Sequence, residues 1–76
     1  MENLQLNQFV KQKRKSSDLT QEDLAYKSGV GLRFVRELER GKPTLQMDKV
    51  NQVLKLFGFE LGPIKSERKI SHDEAR

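Results

Sequence analysis

Arg33, Arg36, Arg40 and Lys42 concentrate cations in one short stretch whose apolar residues recur at helical spacing. A guanidinium is planar and can donate two parallel hydrogen bonds to O6 and N7 of guanine, worth about 1–3 kcal/mol against a wrong base. Arg33 is placed to do this, and Arg36, three residues on, can read a base or grip a phosphate. Glu37 can accept from cytosine N4, or bond back to Arg33 at i−4 and orient it. Leu32 can touch a thymine methyl or pack as an ordinary exposed leucine. Gln21 can offer donors to a phosphate at a helix start, while Arg40 and Lys42 would hold the flanking strand. Such chemistry requires a helix that carries the basic residues outward and a mount that fixes its angle.

Residues 20–41 supply both. They read as two short helices joined by a tight turn, the first from Gln21 to about Ser28 and the second from Gly31 or Leu32 to just before Gly41. Thr20 is the predicted N-cap, and Asp23 three residues later completes a capping box with Asp in place of Glu or Gln. The small Ala25 lets a crossing helix approach, and Gly29 can take the positive φ of a sharp turn. Leu24, Val35 and Leu38 form the apolar underside, leaving Leu32, Arg33, Arg36 and Glu37 outward. Gly41 is a predicted C-cap, and Pro43 prevents continuation.

Other elements complete a small core. A first helix is expected from about Leu4 to Ser17, with the stripe Leu6, Phe9, Val10 and the stem of Lys13. A fourth runs from Leu45 or Gln46 to Phe57, with Met47, Val50, Val53, Leu54 and Phe57 inward and Gly58 as its stop. Tyr26 and Phe34 are expected to lie against neighbouring helices instead of facing outward. Residues 59–64 form an alternating apolar run too short to make a sheet by itself. Residues 65–76 carry four bases, three acids and His72 with almost nothing apolar, the composition of a solvated tail. The expected organisation is one domain, 1–64, followed by that charged tail.

Charge and composition narrow the function classes. The net charge is +4, and the charged and apolar fractions are each 34%. Residues 27–42 hold five bases against two acids, and Lys11, Lys13, Arg14 and Lys15 have no acid among them, whereas residues 43–64 are balanced. This clustering suits a polyanion. At 76 residues there is room for one domain of modest stability. No apolar run approaches the roughly 18 residues of a membrane span, and no signal peptide opens the chain. With no cysteine, neither disulfides nor thiolate zinc sites are possible, and a cytoplasmic location is expected. The only histidine lies in the tail, the acid pairs Glu22-Asp23 and Asp73-Glu74 are sequence neighbours that do not face each other, and no glycine-rich phosphate loop is present. The expectation is a non-enzyme with no catalytic residues, cofactor or metal.

From Leu19-Thr-Gln-Glu-Asp-Leu-Ala25 through Glu37-Leu-Glu-Arg-Gly41 the chain resembles the lambda-repressor and Cro type of helix-turn-helix protein, over roughly Leu6 to Leu61. The continuation Gly41-Lys-Pro-Thr-Leu45 and the run Leu56-Phe-Gly-Phe-Glu-Leu61 resemble the HipB branch, DNA-binding partners of HipA-type kinase toxins. The resemblance implies base readers at Gly31, Leu32, Arg33, Arg36 and Glu37, with Gly31 and Leu32 replacing the polar readers found in many relatives. It implies phosphate contacts at Gln21, to which Thr20, Arg40 and Lys42 are added, and an ion pair of Arg14 with Glu39 joining the first and third helices. The expected fold is all-α, a bundle of four to five helices, with a short C-terminal β-strand at Phe59, Leu61 and Ile64 that pairs across a homodimer. The expected partner is a palindromic double-stranded DNA operator, with a HipA-like kinase toxin as a second; the alternatives are a protein-interaction antitoxin or assembly factor, and a phage-type or restriction-system controller.

Overall fold

The computed structural model of the chain describes residues 4–66. Four helices fold in order: α1 (Leu6–Ser16), α2 (Gln21–Ser28), α3 (Leu32–Arg40) and α4 (Met47–Leu56). Helix α3 packs on both α1 and α2, and α4 packs on α2. Helix α3 is therefore braced by two neighbours.

Helix α2 starts where its cap chemistry dictates. The Asp23 N–H donates to Thr20 Oγ1 at 3.0 Å, and the Thr20 N–H donates to Asp23 Oδ2 at 2.9 Å. The bond from the Thr20 N–H, followed by the Thr20 hydroxyl, holds the Asp23 carboxyl below its usual pKa. The α2–α3 turn passes through Gly29 at φ 83°, where a side chain would be strained and would press on Gln52. Gln52 Nε2 donates to the Ser28 carbonyl at 3.1 Å, so α4 caps the end of α2.

The three other helices share one kind of ending. In α3 the N–H of Gly41 donates to Leu38 and that of Lys42 to Glu37. In α4 the N–H of Gly58 donates to Lys55 and that of Phe59 to Leu54; in α1 the N–H of Asp18 donates to Lys15 and that of Leu19 to Arg14. Each is a Schellman pair around a left-handed residue. The α1 copy places Asp18 at φ 58°, the only positive φ outside glycine among the described residues.

The core is Val10, Leu24, Ala25, Val30, Val35, Leu38, Val50, Val53 and Leu54, all buried. Leu24, Val35 and Leu38 are fully enclosed, each contributing about 2 kcal/mol relative to exposure. They fix the face of α3 that cannot reach a ligand. Phe9, Leu32, Phe34, Phe57 and Leu61 pack around this centre, half-buried.

Three expectations require correction. Met47 is 68% exposed, because it opens α4 and a helical side chain leans back toward the N-terminus, past the packed turns. Tyr26 is 87% exposed, because α2 buries Leu24 and Ala25 and position 26 falls on the opposite side. The third concerns residues 59–64, which form no strand. Helix α4 ends with Phe59 as the outer residue of its Schellman pair, and the Leu61 N–H donates to Asn51 Oδ1 at 2.7 Å. Two amides that a β-ladder would need are thus used within the chain, and the segment folds back on its own domain. Phe59 meets Phe9 edge to face at 4.9 Å, and Lys13 Nζ stands 5.2 Å from the Phe59 ring and 5.6 Å from that of Phe9. Of the predicted tail, all but Lys65 and Ser66 lies outside the described residues.

Candidate nucleic-acid interface

The outer face of α3 is cationic and open. The Arg33 side chain is 88% exposed, and Arg36 and Arg40 are exposed with no ion pair among the described residues. Glu37 lies between two cations, with one oxygen 3.4 Å from Arg33 Nε in an ion pair and the other accepting at 3.4 Å from Lys42 Nζ. Exposed pairs of this kind stabilise the fold by a few tenths of a kcal/mol at most. Their effect is on direction: Glu37 occupies the Nε edge of Arg33 and leaves its terminal nitrogens to a ligand. Leu32 is half-buried against the core, so only part of it faces out.

Gly31 is the N-cap of α3 with an ordinary φ of −76°, and a Cβ there would meet nothing within 4 Å. The fold does not require glycine at this position. It leaves the start of α3 open to close approach.

Beside α3 lies a second basic surface, a cleft of about 300 Å³ lined by Lys11, Gln21, Arg36, Glu39 and Arg40. It brings together the middle of α1, the first residue of α2 and two turns of α3. Helix α2 directs its positive end toward this region, although Glu22 and Asp23 in its first turn offset part of that field. Thr20 stands at the same helix start, its hydroxyl oxygen occupied by the Asp23 amide. The sequence places Lys11 in a basic run but assigns it no phosphate contact. Its helical spacing of three residues from Arg14, which reaches Glu39, is the signal that finds it.

Beneath the cleft, Arg14 and Glu39 meet in a buried fork. Arg14 Nε donates to Glu39 Oε2 at 2.6 Å and Nη2 to Oε1 at 3.0 Å, while Nη1 donates to the Leu19 carbonyl at 2.9 Å. Gln21 Nε2 donates to the same Oε1 at 3.0 Å. Burial by itself would push the Glu39 carboxyl up; hydrogen bonds from Arg14 and Gln21, with the charges of Arg14 and Lys11, outweigh it and hold the carboxyl below its usual range. Arg14 is raised by the same bond to Glu39. The fork ties α1 to α3, and the Leu19 contact adds the α1–α2 loop.

Phe59, Leu61 and Ile64 lie elsewhere. With Leu4, Leu6, Phe9 and Leu54 they line an apolar groove of about 590 Å³. Ile64 is 74% exposed and Phe59 44%.

Among the described residues no cluster of three or more His, Cys, Asp or Glu side chains could hold a metal, and no helix is long and apolar enough to cross a membrane. Residues 10–64 match the helix-turn-helix family. A relative in Sinorhizobium fredii, described as an uncharacterized HTH-type transcriptional regulator, is 52% identical over 48 residues, 63% of this chain and 63% of the relative. The chain thus matches slightly under two-thirds of that relative's length. The matched stretch contains α2, the left-handed turn at Gly29 and α3, and the chain belongs to the helix-turn-helix family.

Proposed function

We propose that the chain is a sequence-specific double-stranded DNA-binding protein that acts as a transcriptional repressor in the cytoplasm, by binding and not by catalysis. The observation carrying this reading is the exposed arginine row of α3, held on a rigid mount beside a basic cleft. Arg33 and Arg36 reach base edges in the major groove, with Gly31 admitting the duplex and Glu37 aiming Arg33. Thr20, Gln21, Arg40 and Lys42, joined by Lys11, hold the phosphates. The relative in Sinorhizobium fredii, by its description a transcriptional regulator, supports the same class.

One α3 covers a single half-site, so a palindromic operator calls for two copies. The apolar groove of Leu6, Phe9 and Leu54, with Phe59 and Ile64 at its rim, is the self-association surface. It works by side-chain packing instead of a strand ladder. The resemblance of residues 41–45 and 56–61 to the HipB branch supports a role in autoregulating a toxin–antitoxin operon, with a HipA-like kinase toxin as protein partner.

Fluorescence anisotropy of a labelled duplex across a salt series tests the DNA reading. Affinity should fall steeply and linearly on a log–log plot, each neutralised phosphate adding about 0.9 to the slope. A salt-independent affinity, together with tight capture of a kinase by a chain carrying Arg33→Ala and Arg36→Ala, would favour the protein-interaction alternative.

A further inference from the structure

We propose that Glu39 is a positioning residue for phosphate contact, acting through Gln21; this rests on the DNA-binding function proposed above. The family resemblance implies a phosphate contact for Gln21 and a structural ion pair for Glu39, as separate jobs. The structure joins them. Glu39 Oε1 accepts from Arg14 Nη2 and from Gln21 Nε2, both at 3.0 Å, and Glu39 and Gln21 line the same cleft as Lys11, Arg36 and Arg40.

An unanchored glutamine amide can turn either end toward a ligand, and its oxygen would repel a phosphate. A carboxylate beside it accepts only from the nitrogen end, so Glu39 fixes which end of Gln21 is held in the cleft. Because the two N–H bonds of an amide are coplanar, committing one to Glu39 also sets the direction of the other. A bare carboxylate at the base of an anion cleft would itself oppose a phosphate. The forked bonds from Arg14 neutralise it, so Glu39 orients the amide at little electrostatic cost to the ligand. Arg14 therefore serves the contact as well, by cancelling the charge of its positioner.

The test is a double-substitution cycle on the full chain, using a labelled random-sequence duplex and a temperature at which circular dichroism shows every variant folded. Gln21→Met keeps the side-chain length and removes both donors. Glu39→Asp keeps a charge for Arg14 and draws the carboxylate back from Gln21. Gln21→Met should weaken binding about tenfold, as expected for one hydrogen bond to a charged group. Glu39→Asp should weaken it by a comparable factor in the parent and have no further effect once Gln21→Met is present. Equal losses with and without Gln21 would mean that Glu39 acts through the fold alone and would overturn the proposal, as would an unchanged affinity for Gln21→Met. Side-chain amide NMR of the parent provides a readout independent of DNA. The Gln21 NH₂ pair should be shifted from its random-coil position and slow to exchange; random-coil signals would overturn the anchoring. Anchored signals with no duplex binding would show that the DNA function had failed, not the hydrogen bond.

Discussion

Replacing Glu39 with alanine removes the acceptor on which three elements converge. Glu39 is 6% exposed, and the substitution takes two of the three hydrogen bonds of the Arg14 side chain, leaving only the bond to the Leu19 carbonyl. Stranding one partner of a buried ion pair costs about 3–5 kcal/mol. Arg14 keeps that bond, and its side chain is 11% exposed, so the lower end applies, about 3 kcal/mol. For a chain of this size 1 kcal/mol corresponds to roughly 6 °C, giving a fall in Tm of about 18 °C at pH 7. The pH dependence has a fixed sign. The folded Glu39 carboxyl sits below its usual value, so its stabilisation is complete above the unfolded pKa of about 4.3 and is lost as pH falls through the folded value. The Tm gap between parent and Glu39→Ala should therefore be constant from about pH 5 to 8 and narrow below about pH 4. The assay is thermal unfolding by circular dichroism across that range. A gap under about 3 °C at pH 7, or one that widens on acidification, would refute the reasoning. Replacing both partners, with Arg14→Met and Glu39→Leu, should recover most of the loss, because no charge is then stranded.

Other substitutions separate readout from scaffold. Arg33→Ala should cost about 1–3 kcal/mol of operator binding while nearly sparing random duplex, measured by anisotropy on both DNAs; equal losses would remove Arg33 from base reading. Asp18→Gly should raise stability by about 0.5–1 kcal/mol in urea unfolding, because the left-handed φ of 58° is strained for Asp and not for Gly. Truncation after Gly58 removes Phe59, Leu61 and Ile64 from the apolar groove; sedimentation velocity at micromolar concentration should find a dimer for the full chain and a monomer for the truncated one.

The helices were legible where punctuation and periodicity agreed. Thr20 with Asp23, Gly29, Gly41 and Gly58 each mark an observed boundary, and Leu24, Val35 and Leu38 fill the core that their spacing predicts. What failed was local patterning read without its tertiary setting. The alternation of Phe59, Leu61 and Ile64 has the period of a strand, but the Schellman ending at Gly58 takes the Phe59 amide and Asn51 takes that of Leu61. Residue types made Gln21 and Lys11 visible as a donor and a cation. Their convergence with Glu39, Arg36 and Arg40 depends on how α1, α2 and α3 cross, which no periodicity encodes. The strict 2.0 and 3.6 periods report which face of one element is buried, and the cleft is made where three elements meet, with Glu39 buried at its base.

The most direct measurement is selection of bound sequences from a random duplex library of about 30 base pairs by the purified chain at moderate salt, followed by sequencing. Binding through α3 of two copies predicts enrichment of an inverted repeat whose half-sites are centred about one helical turn, roughly 10 base pairs, apart. With Arg33→Ala the enrichment should weaken at one symmetric pair of positions. A library that emerges unenriched, or a motif unaffected by both Arg33→Ala and Arg36→Ala, would contradict sequence recognition by this helix.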